Sequence, residues 1–448
     1  MTARVTEHFS SRFGFLMASI GFAVGLGNIW RFPYVTGENG GGAFVAVYLI
    51  CAFGIGVPIL MAEILLGRRG QASPPNAMSA VALAEGRSRR WRWVGGVNLL
   101  TAFLILVTYS VVVGWVLWYL YKALTTGFAG YGNGAATTAF EGVLADTPGL
   151  LFWTLMALGI AGGIVYYGVR DGIERSVRIL MPTLFGLLLV LALYNLFTGG
   201  YRETVEYLFT PDFSKVSGEM LLAAVGQAFF SIGVAMAGMM TFGAYLSKEH
   251  SIAGSVLIII VADTLVALVA GLAIFPAVFH YGLDPAGGPG LIFQTLPVAF
   301  AQMPGGHLVS VLFFVLLSVG GITSMVGLIE PVVAWLDEHR GLARHRSTLM
   351  LAVAIGALSV LSILSFNVLA DWTVGSRTIG DLLDYFSNQV LLPVGGFLIA
   401  LFVGWFMSRE AARDELAMDS PSLFRVWHLL IRYVVPPAVA LILITGIG

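Results

Sequence analysis

Gly21-Phe22-Ala23-Val24-Gly25-Leu26-Gly27-Asn28-Ile29-Trp30-Arg31-Phe32-Pro33 lies inside the first long apolar run of the chain, yet three glycines interrupt it and an Asn-Ile-Trp-Arg tail closes it. In hydrocarbon an unpaired backbone group is so unfavourable that broken backbone at membrane depth survives only where protein or a polar cavity takes up the freed groups. A break here leaves the carbonyls of Gly21 to Val24 at the end of one half-helix and the amides of Leu26 and Gly27 at the start of the next. Carbonyls suit a cation and amides suit a carboxylate. Gly21 and Gly25 are also spaced as a small-xxx-small packing seam, so the stretch by itself admits either an ordinary helix interface or a discontinuous helix that binds a zwitterion and a cation.

The rest of the chain says what solvent this stretch lives in. With 448 residues, 58% of them hydrophobic and only 11% charged, and a mean hydropathy of +0.87, it is a polytopic membrane protein and falls outside the composition of soluble domains. A net charge of -1 argues against a nucleic-acid partner, and the single Cys51 rules out an intrachain disulfide framework. The polar segment from Met1 to Arg12 lacks the pattern of a cleaved signal peptide. Apolar windows long enough to span fall near 13–36, 43–66, 94–121, 150–169, 179–198, 220–246, 253–281, 308–336, 349–366, 382–407 and 426–447, about eleven helices at ~20 residues each.

Arginines fix the expected orientation. Those after segments two, four, eight and ten include Arg68, Arg87, Arg170, Arg175, Arg340, Arg344 and Arg409, whereas the stretch from His280 to His307 has no Lys or Arg. The positive-inside rule then puts the N-terminus in the cytoplasm and, with an odd helix count, the C-terminus outside a cell membrane crossed many times.

A second interrupted segment follows. Gln227-Ala228-Phe229-Phe230-Ser231-Ile232-Gly233-Val234-Ala235-Met236-Ala237-Gly238 mixes small and polar residues in mid-membrane. Two broken segments, each first in a set of five, are what an inverted repeat predicts, with residues 13–198 as one repeat, 220–407 as the other and 426–447 as an extra helix. Asp263 stands in segment seven among Val261, Ala262, Leu265 and Val266. A charge there costs at least ~2.5–3.5 kcal/mol, which points away from a bare structural role. Glu63 near the end of segment two, Tyr109 in segment three and the run Gly320-Gly321-Ile322-Thr323-Ser324 in segment eight each have an ordinary reading as well: an interfacial acid, a packed tyrosine, and hydroxyls bonded back to their own helix.

Taken together with Glu38-Asn39-Gly40-Gly41-Gly42-Ala43-Phe44, these motifs resemble the neurotransmitter:sodium symporter family, bacterial amino-acid transporters with the leucine-transporter fold, and the likeness runs over nearly the whole chain. It implies an all-α fold with broken helices 1 and 6. It also implies two sodium sites: one from Ala23, Asn28, Ser231 and Asp263, completed by the substrate carboxylate, the other from Gly21, Val24, Gly320, Thr323 and Ser324. Under the same resemblance the substrate carboxylate meets the amides of Leu26 and Gly27 and the Tyr109 hydroxyl. Its ammonium meets carbonyls of Ala23, Phe230, Ser231 and Gly233, and Phe22, Ile105, Phe230, Met236, Met325 and Leu328 wall the side chain. Gly25, where monoamine members carry an aspartate, leaves room for the carboxylate. Arg31 and Asp384 are the expected outer gate, with Tyr109 and Phe230 closing beneath them, Glu63 is expected to accept from the broken backbone, and the loop from Tyr281 to Gly306 is the expected outer lid.

Two places depart from the family pattern. An arginine usual near the N-terminus is displaced to Arg4, with Thr6 at the aligned place, which leaves Glu338 without its usual partner. Chloride-dependent members carry Asn and Ser where this chain has Asp263 and Ala267, so no chloride is expected. The implied activity is sodium-coupled symport of a neutral, apolar or aromatic L-amino acid into the cell. A different small zwitterion, or a membrane sensor that keeps the fold without transporting, are the competing readings; an enzyme is disfavoured because no His-x-x-x-His pair or nucleophile–base constellation occurs. The oligomeric state is not legible.

Overall fold

A computed structural model describes residues 7–197, 199–418 and 420–447; the expectation concerning Arg4 and Thr6 lies outside them. Among the described residues nine helices are long and apolar enough to cross a membrane, ten with one bent pair. They are α1 (Arg12–Ala23 and Gly27–Glu38), α2 (Gly42–Gly70), α3 (Arg89–Thr125), α4 (Thr147–Tyr166), α5 (Val169–Asn195), α7 (Ile252–His280), α8 (Gly306–Arg340), α9 (Arg344–Leu364), α10 (Ile379–Phe406) and α11 (Pro421–Gly446). The broken α6 (Gly218–Ile232 and Gly238–Ala244), too short in each piece to pass by length, brings the total to eleven.

Hydrophobic windows place some ends wrongly, for a physical reason. The window at 179–198 begins ten residues late, because Val169–Glu174 is wound as a π turn and is not a loop. Its charges find partners at the helix start: the Glu174 carboxylate accepts from Ser10 N–H at 2.8 Å and from Arg178 at 2.5 Å. Arg170 and Arg175 thus stand on α5, and Arg344 and Arg346 stand on the first turns of α9. Helices continue into the interface, where polar side chains reach water and apolarity no longer marks them.

α3 and α8 form the middle of the bundle. They pack along each other, and α1 packs on α8, α5 and α7. In the most apolar part of α8 83% of residues are buried, against 28% for α5 and for α11, so α8 is central while the latter two face lipid. At 35 residues α8 is about 52 Å long at ~1.5 Å per residue. That exceeds a ~30 Å hydrocarbon core, so it must cross on a slant or project beyond it.

Both breaks are held by tertiary contacts. α1 bends by 46° after Val24 takes an extended conformation, φ -76° and ψ 101°. In α6, Gly233, Ala235 and Ala237 have φ of 71°, 61° and 64°, and each left-handed alanine costs ~1–2 kcal/mol. Glu63 of α2 compensates by accepting the Ala235 N–H. The loop from Tyr281 to Gly306 contains a short helical hairpin arm, Leu291–Gln302. It is tied down where Trp30 Nε1 donates to Pro289 O at 3.0 Å and Tyr119 OH donates to Phe293 O at 2.8 Å.

Candidate functional site

The two breaks meet around Asp263. Its side chain is fully buried, as are Asn28 and, within 1%, Ser231. Asn28 Nδ2, just past the α1 break, donates to Asp263 Oδ1 at 2.7 Å and to Ser231 Oγ at 2.8 Å. Ser231 Oγ, just before the α6 break, donates to Asp263 Oδ2 at 2.9 Å. Tyr48 OH of α2 reaches the same oxygen at 3.4 Å. Asn28 Oδ1 accepts Gly25 N–H at 3.1 Å, and Gln227 Nε2 donates to Gly27 O at 2.8 Å. One carboxylate is thus ringed by an amide, a hydroxyl and a phenol. The hydroxyl, the phenol and the carboxylate are oxygen ligands that suit a small hard cation, whereas the Asn28 amide turns its nitrogen to the carboxylate and its oxygen to Gly25 N–H; no group of three or more His, Cys, Asp or Glu that could hold a metal ion occurs among the described residues.

The second expected cluster is brought together less completely. Gly320 and Thr323 of α8 lie against the α1 break, a Cβ on Gly21 standing 3.3 Å from Thr323 Cβ and one on Gly25 3.2 Å from Gly320 O. Ser324 Oγ donates across to Phe22 O at 3.2 Å. Thr323 Oγ1 instead donates to Val319 O at 3.0 Å and Gly320 O at 3.1 Å within its own helix.

Between the breaks is a cavity of about 30 Å³ lined by residues including Phe22, Ala23, Ile105, Tyr109, Met236 and Leu328. Gly25, Gly27, Phe230, Gly233 and Ser324 complete it. Leu26 lines an outer cavity instead, while Ser231 and Met325 are buried without lining the inner one. Leu26 N–H donates to Tyr109 OH at 3.3 Å, which spends the free amide on the tyrosine in this conformation. The glycine at 25 is required by space: a Cβ there would overlap Ser324 Oγ and sit 2.9 Å from Tyr109 OH.

The outer cavity, about 560 Å³, shares Ile105, Tyr109 and Phe230 with the inner one, so those three side chains are the partition between them. Arg31 and Asp384 both line it. They do not form an ion pair within 4.0 Å among the described residues; the Arg31 guanidinium lies 4.6 Å from the Phe230 ring centre, and Asp384 accepts from Asn388 at 2.8 Å. The arginine-rich end of the bundle is shut. There Arg344 pairs with Glu330 of α8 and, at 3.4 Å, with Glu7, while Tyr245 OH donates to Glu330 at 2.6 Å. Glu338 accepts the Ser73 N–H at 2.8 Å and has no arginine within ion-pair reach among the described residues. The sequence reading did not single out Tyr48, Trp115 and Phe140, which lines the outer cavity with Trp115; nothing local marks them, since Tyr48 and Trp115 are aromatics in apolar helices and Phe140 stands in the short helix Asn133–Ala145 between α3 and α4.

Two broken helices meeting at a buried carboxylate, closed at one end and open to a large cavity at the other, define a membrane transporter with the leucine-transporter fold. The chain belongs to the sodium:neurotransmitter symporter family, whose model matches residues 6–137 and 141–447. It is 34% identical, over 100% of its length and 99% of the relative's, to the uncharacterized sodium-dependent transporter YhdH of Bacillus subtilis (strain 168). An uncharacterized sodium-dependent transporter of Haemophilus influenzae is 31% identical over 98% of each chain. The crystal structure of MhsT in complex with L-phenylalanine superposes with a TM-score of 0.90 at 40% identity, covering 98% of this chain and 99% of that one. The protein is accordingly a sodium-dependent symporter.

Proposed function

We propose that the protein carries a neutral, apolar or aromatic L-amino acid into the cell together with sodium, from two sodium sites, by alternating access and without chloride. The observation that carries this reading is the Asp263 cluster, in which one buried carboxylate holds Asn28 of the first break and Ser231 of the second. A sodium ion there would be ligated by Ala23, Asn28, Ser231 and Asp263 and by the substrate's own carboxylate, so each ligand favours binding of the other. The second ion would lie with Gly21, Val24, Gly320, Thr323 and Ser324. The apolar wall of Phe22, Ile105, Phe230, Met236 and Leu328 favours an apolar side chain, with Met325 behind it, and the flexible methionines adapt to its shape. MhsT was solved with L-phenylalanine, which fits this substrate class. Asp263 supplies a fixed anion beside the ion, where charge interactions exceed those in water, and Ala267 brings no hydroxyl for a chloride.

A cavity of about 30 Å³ is far below the ~300–1,000 Å³ of ordinary ligand pockets, so binding requires the partition of Ile105, Tyr109 and Phe230 to move. We take the arginine-rich end to be cytoplasmic, which makes the outer cavity extracellular and puts the C-terminus outside a cell membrane. Residues 13–198 and 220–407 then form the two repeats that rock against each other, with 426–447 appended. The test is uptake of labelled phenylalanine and leucine into proteoliposomes, with and without an inward sodium gradient, in chloride-free buffer. Sodium-driven accumulation is expected. Binding without accumulation would favour a sensor, and better competition by glutamate or lysine than by any apolar amino acid would overturn the substrate class.

A further inference from the structure

Away from the transport path, at the arginine-rich end, a groove of about 450 Å³ opens between α3, α8 and α9. Its walls are apolar. Trp93, Leu100, Phe103, Trp335 and Met350 line it, and Trp93 is 71% exposed, so the groove faces out of the bundle toward lipid. On α3 the lining runs from Arg92 to Phe103, a rise of about 16 Å at ~1.5 Å per residue. That matches half of a ~30 Å hydrocarbon core, the depth of one leaflet.

The charged side chain that lines the groove is a cation. Arg92 lines the groove, with the exposed Arg89 and Arg90 in the turn just before it. On the facing wall the exposed Arg346 stands four residues before Met350, on the same face of α9 and one turn nearer the headgroups. None of these four arginines has a carboxylate within 4.0 Å among the described residues. Of the two acids at the end of α8, Asp337 accepts from Ser347 Oγ at 2.5 Å, and Glu338 accepts the Ser73 N–H at 2.8 Å with one oxygen while its other oxygen is buried without a hydrogen-bond partner. A one-leaflet apolar slot capped by unpaired guanidinium groups on opposite walls complements an acyl chain joined to a phosphate.

We infer that this groove is a binding site for one anionic phospholipid, its phosphodiester held between Arg92 and Arg346 and an acyl chain lying along α3. The site differs from the surrounding lipid-facing surface in being selective for headgroup charge. It touches α3 and α8, the two central helices that carry Tyr109 and Thr323, well below those residues.

Native mass spectrometry of the full chain, released from detergent after titration with phosphatidylglycerol or phosphatidylcholine of matched acyl chains, tests the assignment. The wild type should retain one phosphatidylglycerol in preference to phosphatidylcholine. Arg92→Gln with Arg346→Gln should weaken phosphatidylglycerol retention about thirty-fold, at ~1 kcal/mol for each arginine, and abolish the preference. Gly96→Leu tests the slot: a Cβ there meets only the Trp93 ring at 3.8 Å, so the larger side chain enters the groove and should lower retention of the first lipid without touching the charges. Equal retention of the two lipids by the wild type overturns the proposal with no variant needed. So does a double variant that holds phosphatidylglycerol as tightly as the wild type.

Discussion

Gly25 is the residue at which the site's chemistry is decided by the lack of a side chain. A Cβ would meet the hydroxyls of Ser324 and Tyr109, so Gly25→Ala must either push these apart or fill the space meant for a carboxylate. Overpacking of ~1–3 kcal/mol predicts that amino-acid affinity falls about tenfold or more, while the protein still folds and still responds to sodium; scintillation proximity binding with labelled phenylalanine checks it, and undiminished affinity would remove the carboxylate from this place. Asp263 has the opposite character, a full charge with all its partners neutral. Asp263→Asn with Ala267→Ser should transport poorly in chloride-free buffer and recover in part when chloride is added. Equal activity with and without chloride, at normal sodium, would show that Asp263 is not the built-in counter-charge.

Among elements, α6 owes its shape to its neighbours. Its two left-handed alanines, Ala235 and Ala237, would relax toward helix if the freed Ala235 N–H lost the Glu63 carboxylate that accepts it. Leaving that buried donor unpaired costs ~1–3 kcal/mol, so Glu63→Ala should lower the melting temperature in detergent, and Glu63→Gln, which keeps an acceptor, should recover most of it. Identical melting of the two variants would mean that the hydrogen bond does not hold the break. The sequence marked α6 as interrupted through Gly233 and its small neighbours. That Glu63 would meet it came from the family resemblance and not from the local sequence, because Glu63 lies 172 positions away from Ala235.

For the whole molecule, the state described is closed at the arginine-rich end and open at the other. Arg31 and Asp384 line the open cavity without direct pairing, above the partition formed by Tyr109 and Phe230. If drawing them together closes the outer gate, Asp384→Ala should retain sodium-dependent substrate binding and lose uptake into proteoliposomes. Unchanged uptake would end the gate assignment. Ligand removal reads the same coupling from the stability side. A ligand at a hundred times its dissociation constant stabilises the native state by ~2.7 kcal/mol, so replacing sodium with potassium should lower the melting temperature and also remove most of the further rise produced by phenylalanine. A phenylalanine-induced rise that is the same in potassium would separate the two binding events.

What the sequence determined by itself follows from the solvent. Hydrocarbon tolerates neither long polar runs nor unexplained breaks, so apolar length gave eleven crossings, and Gly21 to Pro33, Gln227 to Gly238 and Asp263 stood out as features that only a site would justify. The resemblance carried by those motifs then named the residues that the bundle brings to Asp263. Helix ends were less legible, as at Val169 and Arg344, because charges at the interface are solvated and leave no apolar signature. Partners distant in the chain were legible only where that resemblance supplied them, as for Glu63 and the broken backbone. Tyr48 on Asp263, the choice of the Ala235 amide as the one Glu63 accepts, and Arg344 between Glu330 and Glu7 depend on how tilted helices cross. The tertiary structure alone decided them, since a side chain's partner in a membrane bundle is set by which helices touch and at what depth, and local sequence encodes neither.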